Sequence, residues 1–354
     1  MTYPVKSYAA HSPTGRLGLF SFDRRSPRAD DVVIEVLYCG VCHSDLHNVR
    51  NDWGNAQYPM VPGHEIVGRV LEVGPEVTRF KAGDRVGVGC MVDSCRSCAA
   101  CGKGWEQYCE SGSTYTYNGT DRVDGSRTHG GYSEKIVVAQ DFVLRVHDAL
   151  DLAGAAPLLC AGITLYSPLR HWKVGPGSRV AIVGLGGLGH MGLKLAKAMG
   201  AEVTLFSRSP GKEADARRLG ADRIVISTDP AQMAAVAGRF DLVVDTVPYP
   251  HDVNPYVPTL ATGGTQVMVG YLGPLEGFDT RPLAFSRRAL AGSLIGGIAE
   301  TQEMLDFCGA HGIHADIEVI RIQSINEAYE RLLKADVKYR FVIDMASLRD
   351  EVAA

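Results

Sequence analysis

The run Val180-Ala181-Ile182-Val183 leads straight into Gly184-Leu185-Gly186-Gly187-Leu188-Gly189, and Leu188, Met191, Leu195 and Met199 then recur at helical spacing. This pattern reads as a strand, a turn of the form G-x-G-x-x-G, and a helix ended by Gly200. The three spaced glycines serve a tight turn, close backbone approach to a pyrophosphate, and tight helix–strand packing. The helix N-terminus then faces the anion. Gly184, Leu185, Gly186, Gly187, Leu188 and Gly189 are therefore assigned to dinucleotide binding, against the plainer reading of a glycine-rich turn without a ligand. His190, directly after the turn, is a further candidate for the pyrophosphate. More short apolar runs follow at residues 203–206, 223–226, 241–244, 265–269 and 293–295, separated by stretches of helical length. Strands alternating with helices form parallel sheets, so a complete doubly wound α/β domain is expected.

The residues after the second run decide which dinucleotide fits. An NAD site places Asp or Glu there, roughly 20 residues past the glycines, to hold the ribose 2′-hydroxyl. Here residues 203–206 end in Ser207-Arg208-Ser209, with Lys212 close behind. Hydroxyls and cations suit a 2′-phosphate, which Arg grips through paired hydrogen bonds. The expected cofactor is NADP(H), bound by Ser207, Arg208, Ser209 and Lys212. The alternative leaves Arg208 and Lys212 as solvated surface charges.

The chain before residue 153 has another texture. Val32-Val33-Ile34-Glu35-Val36 and residues 66–73 are β-branched runs, punctuated by Gly63, Gly68, Gly74 and Pro75. Short strands and turns are expected. The 354 residues accommodate two domains, at roughly 150 residues per domain. The expected division is a β-rich first domain over 1–152 with a metal lobe at 90–112, an inserted sheet domain over 153–294, and a return to the first domain over 295–354. That tail reads as a helix at 301–308, a strand at 317–320, a helix at Ile325–Leu333 and a strand at Arg340–Asp344.

Five of the nine cysteines lie between Cys90 and Cys109. Cys95-x2-Cys98-x2-Cys101-x7-Cys109 offers four thiolates within 15 residues. Short spacings close a tetrahedral zinc site at small entropic cost. An iron–sulfur run of this opening would continue x3-Cys-Pro, and this one does not. A closed set of four sulfurs leaves no open position, so the chemistry belongs elsewhere. Cys42, the Gly63-His64-Glu65 triplet and Cys160 supply a second set. Catalytic zinc takes three protein ligands and one open position, and two Cys with one His is such a set. Singly these residues are weak signals: a lone His is usually structural, Cys160 could be a small core residue, and Cys39-x2-Cys42 could be a redox pair. Their company with the cysteine comb and the glycine turn favours a catalytic metal. Cys39 and Cys308 read as core residues, and His11, His129, His147 and His171 have no ligating spacing.

Together these residues resemble the zinc-dependent medium-chain alcohol dehydrogenases. Gly63-His64-Glu65-x2-Gly68-x5-Gly74-x2-Val77 is similar to that family's zinc signature. The stretches 39–47, 58–65 and 160–169 resemble the cinnamyl-alcohol-dehydrogenase-like branch, including its bacterial broad-specificity NADP-dependent aldehyde reductases. The resemblance implies a GroES-like catalytic domain from both chain ends, an inserted Rossmann domain, two zinc ions per subunit and a homodimer. It implies Cys42, His64 and Cys160 as catalytic zinc ligands with Glu65 as an occasional fourth. Ser44 would touch the substrate oxygen, His47 relay a proton, and Asp45 orient His64. Trp53, Cys90, Tyr115 and Leu294 would line the substrate pocket. The plant lignin enzymes tend to carry Trp in place of Tyr115 and Phe in place of Leu294, which argues against strict cinnamaldehyde specificity. The implied reaction is reversible hydride transfer between NADP(H) and aromatic, cinnamyl or medium aliphatic alcohols and aldehydes.

Three other readings compete with this one. A zinc-independent quinone or enoyl reductase of the same fold would not need Cys42, His64 and Cys160 together. A zinc-ribbon protein sensing nucleotides on nucleic acid would be basic. Here Lys plus Arg is 36 and Asp plus Glu is 40, a net charge of −4, with no Lys/Arg run around the comb. An inactive, purely structural protein of this fold is a third. Apolar runs are broken well short of a membrane span of about 18 residues. No secretory pattern opens the chain. A cytoplasmic enzyme with a small-molecule substrate, without nucleic-acid or membrane partners, is expected.

Overall fold

In the computed structural model, which describes residues 2–275 and 277–350, six parallel strands form one sheet of the segment Ala161–Ile295. Across the sheet they run Arg223–Ile226, Glu202–Ser207, Arg179–Val183, Phe240–Asp245, Leu260–Met268 and Ala289–Gly292. In chain order that is third, second, first, fourth, fifth, sixth, the doubly wound order of a dinucleotide-binding sheet. Val180–Val183 at the centre is buried, as a parallel strand covered on both faces must be. Phe206 meets Phe240 edge-on at 5.4 Å between ring centroids, in a cluster with Tyr256 and Leu260. The helix Gly189–Ala198 ends as its pattern predicts. Gly200 sits at φ +93°, donating to Lys197 O while Ala201 donates to Ala196 O, a Schellman cap. The sixth strand lies earlier than the run at 293–295. Ala289–Gly292 pairs with residues 265–268, and Ile295 turns out of the extended region at φ +39°. The small residues of Ala289–Gly292 carry little strand propensity, so the apolar run just after them drew the expectation.

The other unit joins the chain up to Cys160 with the chain from Gly296 onward. Its strand Asp31–Gly40 pairs antiparallel with Ile66–Val73, with Lys135–Ala139 and with the tail strand Arg340–Asp344, placing Cys39 opposite Ile343. The tail thus completes a sheet begun near the N-terminus. The first crossing between units falls after Cys160 rather than at 152/153. Leu152–Ala155 and Ala156–Leu159 pack on Asp31–Gly40 and Ile66–Val73. Gly87 makes room for them, since a Cβ there would lie 3.0 Å from Leu159 Cδ1. Their apolar composition resembles the segment that follows, which hid the boundary. No single helix among the described residues is long and apolar enough to cross a membrane.

At the C-terminal end of Phe240–Asp245, the fully buried Asp245 holds His251. Nε2 of His251 lies 2.9 Å from Asp245 Oδ2 and Nδ1 lies 2.9 Å from Tyr249 O. Both neighbours are acceptors, so only the doubly protonated ring satisfies both. The hydrogen bond to Asp245 raises the imidazole pKa, with burial opposing. A raised folded-state pKa contributes stability that is complete below the unfolded value and is lost as pH rises through the folded one. The deficit in thermal midpoint of His251→Gln should therefore be largest near about pH 5.5 and shrink by about pH 9. Parallel melting curves across that range would contradict this. A Cβ on Gly189 would stand 2.0 Å from Gly184 O. Gly189→Ala should lower stability by about 1–3 kcal/mol and weaken dinucleotide binding, as measured by melting and by titration with NADPH.

Candidate active site

Cys42 caps the helix His43–Arg50, and Asp45 at its third position closes the cap by accepting from Cys42 N at 2.9 Å. The other carboxylate oxygen of Asp45 accepts from Gly63 N and faces His64 Nδ1, both at 3.0 Å. This fixes the His64 tautomer and leaves Nε2 for a ligand. Gly63 adopts φ +103° and packs too closely on Cys39 and Tyr132 for any Cβ. Cys160, following the turn Ala156–Leu159, brings its Sγ to 3.9 Å from Cys42 Sγ across 118 positions of sequence. One donor atom from each of Cys42, His64, Glu65 and Cys160 lies within 4.8 Å of the others, and all four residues are buried.

The electrostatics suit a cation. Hydrogen bonding with Cys160 holds the Cys42 thiol well below its usual range against burial, helped by Arg340 and His64. Sharing that proton pushes Cys160 well up. Glu65 is fully buried and paired with buried Arg340 through Oε1. Its Oε2 has no hydrogen-bond partner among the described residues. Gly40 makes space for it, since a Cβ there would stand 1.9 Å from that oxygen. Burial pushes the Glu65 carboxyl up to about 8, with Arg340 opposing. Two sulfurs, an imidazole and an unsatisfied carboxylate oxygen form a donor set that fits zinc with a position to spare.

Cys95, Cys98, Cys101 and Cys109 form the second group within the same 4.8 Å limit. Backbone amides donate to their sulfurs: Cys98 N to Cys95 at 3.4 Å, Cys101 N and Glu110 N to Cys98 at 3.5 and 3.4 Å, and Cys95 N to Cys109 at 3.3 Å. These bonds, from Ser97 and Cys98 above all, bring Cys95 down to about 5, whereas burial takes Cys101 up to about 11. Four thiols with amides already turned to them fit a closed zinc site.

Ser44 Oγ lies 3.7 Å from Cys42 Sγ. His47 Nδ1 lies 2.7 Å from Asp52 Oδ2, and its ring is 5.6 Å from that of Trp53. Trp53 and Tyr115 are half exposed, and Cys90 Sγ lies 3.8 Å from Leu159 O. Leu294 belongs to the other unit and is partly buried. A cleft of about 410 Å³ beside Gly18–Arg24 contains none of these residues, and Arg25, Arg28 and Arg96 on its walls pair with its own Asp31, Asp121 and Asp93.

In the glycine turn, Gly184 has φ +90° and Gly189 packs against Gly184 O. A Cβ on Gly186 would meet no protein atom within 4 Å. The space kept free there fits a pyrophosphate drawn close to the backbone. His190 lies fully buried in the helix that follows the turn. Ser207 Oγ donates to Ser209 O at 2.9 Å and accepts from Ser209 N, while Ser209 Oγ accepts from Gly211 N at 3.3 Å. Both hydroxyls thus shape the loop that presents exposed Arg208. Lys212 Nζ donates to Leu185 O at 3.0 Å, so its charge rests on the glycine turn. Sequence reasoning missed Arg340, which lies 275 positions from Glu65 and carries no local signal, and Gly40, whose role depends on Glu65.

The alcohol dehydrogenase GroES-like domain model matches residues 28–148, and the zinc-binding dehydrogenase model matches 187–310. Aldehyde reductase YahK of Escherichia coli is 53% identical over 98% of this chain and 99% of its own. Cinnamyl alcohol dehydrogenase SbCAD4 of Sorghum bicolor superposes with TM-score 0.95 at 49% identity, covering 99% of this chain and 100% of that one. The Helicobacter pylori enzyme, solved with NADP(H), superposes with TM-score 0.89 at 40% identity over 98% and 99%. With relatives this similar along its whole length, the chain belongs to the zinc-dependent medium-chain alcohol dehydrogenases, in their cinnamyl-alcohol-dehydrogenase-like branch.

Proposed function

We propose that this NADP-dependent alcohol dehydrogenase acts as an aldehyde reductase on aromatic, cinnamyl and medium aliphatic substrates, with Cys42, His64 and Cys160 as its catalytic zinc ligands. The grouping of those three donors with Glu65 within 4.8 Å carries the reading. Zinc, when bound, supplies Lewis acidity toward a carbonyl oxygen, and reduced nicotinamide supplies the hydride. The chain supplies the rest. Asp45 holds His64 Nδ1 and so aims Nε2. Ser44 Oγ donates the proton that the substrate oxygen takes up, and His47, braced by Asp52, exchanges protons with solvent. Cys95, Cys98, Cys101 and Cys109 hold a structural zinc. Gly184 through Gly189 cradle the pyrophosphate, and Arg208 with Ser207, Ser209 and Lys212 favours the 2′-phosphate. Trp53, Cys90 and Tyr115 offer aromatic surface and a small thiol to a ring-bearing aldehyde. A cytoplasmic homodimer is the working form we infer; sedimentation equilibrium tests the dimer.

Elemental analysis should find two zinc ions per subunit, falling to one in Cys160→Ser. That variant should retain its circular dichroism but lose NADPH oxidation with benzaldehyde by on the order of 10³-fold. Turnover that survives with a single metal per subunit would refute the assignment. Ser44→Ala should lower kcat by about 10²-fold with the metal content unchanged, as expected for a lost proton donor. A panel of benzylic, cinnamyl and aliphatic aldehydes ranked by kcat/KM would order the substrates.

A further inference from the structure

Arg208 stands at the surface on the loop after Glu202–Ser207, where its guanidinium would be free to sweep many rotamers. It does not. Its Nη2 donates to Tyr249 Oη at 2.8 Å, and its Cζ lies 5.6 Å from the centre of the Tyr249 ring. Tyr249 comes from a different strand end, the loop after Phe240–Asp245, so two loops of the doubly wound sheet meet here.

That second loop is stiff for three separate reasons. Tyr249 lies between Pro248 and Pro250, and a residue before proline is confined to extended backbone while each proline fixes its own φ. Its carbonyl is bound by His251 Nδ1 at 2.9 Å. His251 is in turn tied to the buried carboxylate of Asp245 at 2.9 Å. Tyrosine also has few rotatable bonds, so its hydroxyl is presented at low entropic cost.

We propose that Tyr249 is the positioning residue that holds Arg208 ready for the 2′-phosphate of NADP(H), and thereby helps set the preference over NAD(H). The inference rests on the reading of residues 207–212 as the seat of that phosphate. A long, exposed arginine loses several rotamers when it grips an anion, and this loss weakens binding. With Tyr249 in place, part of that ordering precedes the ligand. The phenol engages one nitrogen of the planar fork, and the guanidinium's remaining N–H groups stay available to the phosphate oxygens. NAD(H) presents only a hydroxyl and gains nothing from an ordered cation.

Calorimetric titration of the zinc-loaded enzyme with NADP⁺ and with NAD⁺ tests this, using wild type, Tyr249→Phe, Arg208→Ala and the double variant. Tyr249→Phe keeps the ring and removes only the acceptor. It should weaken NADP⁺ by about 3- to 10-fold, leave NAD⁺ unchanged, and raise the KM for NADPH without altering kcat. In the Arg208→Ala background the same change should have no effect, because the group it positions is gone. Equal weakening of both dinucleotides would place Tyr249 on the shared adenosine portion and overturn the proposal. So would an undiminished effect of Tyr249→Phe in the Arg208→Ala background, or unaltered NADP⁺ affinity in Tyr249→Phe. If Arg208→Ala itself leaves NADP⁺ binding intact, the assignment of the loop fails first, and the role of Tyr249 falls with it.

Discussion

The carboxylate of Asp45 is the contact on which the candidate metal site depends. It is wholly buried and takes hydrogen bonds from Cys42 N, Gly63 N and His64 Nδ1. Two of the candidate metal donors, Cys42 and His64, arrive on different segments, one capping a helix and one on a glycine turn, and Asp45 ties both to a single group. A buried carboxylate is tolerated only when its oxygens are satisfied. Here the satisfaction and the placement of His64 are the same bonds. Removing one partner of such a group costs on the order of 3–5 kcal/mol and would also free the imidazole to turn.

Around that anchor the fold gathers buried donors that a cation would satisfy. Glu65 pairs with Arg340 through one oxygen although burial raises its carboxyl to about 8, while the sulfurs of Cys42 and Cys160 lie 3.9 Å apart. The lowering of Cys42 and the raising of Cys160 are two sides of one shared proton. The two sulfurs and the Oε2 of Glu65, which has no hydrogen-bond partner among the described residues, would hold a divalent ion, whose positive charge would take the place of that proton. Arg340 on the tail strand and Gly40 on the strand beside it then make sense as a pair: one holds one oxygen of Glu65, the other leaves space for the second.

What could be read from the residues was what depends on local spacing. The glycine turn, its helix and the Gly200 cap need only neighbours in sequence, and the cysteine comb closes within a few turns of chain. The order of the parallel sheet followed because alternating strands and helices leave few topologies. The sixth strand was misplaced because its small side chains carry little hydrophobic signal. The first unit boundary was placed early because Leu152–Leu159 is apolar on either reading, and only its packing on Gly87 and the neighbouring strands decides it. Arg340 and Tyr249 were invisible for a common reason: each acts through a contact made across a long stretch of chain, and nothing in its own neighbourhood announces the partner.

The two ligand sites differ in how tightly stability and selectivity are bound together. At the metal site the donors and their supports are buried, so changes to Asp45 or Glu65 disturb the fold itself. At the cofactor loop, Arg208, Ser209, Lys212 and Tyr249 are exposed. Surface substitutions of that kind usually change stability by no more than about 0.5 kcal/mol. Yet, on the reading proposed for this loop, they face the one place where NADP(H) and NAD(H) differ, a doubly charged group whose recognition would depend on cations held in the open. On the proposed reading, cofactor preference would be set by residues the fold can spare, and the hydrogen bond to Tyr249 would give the exposed Arg208 the order that burial supplies elsewhere.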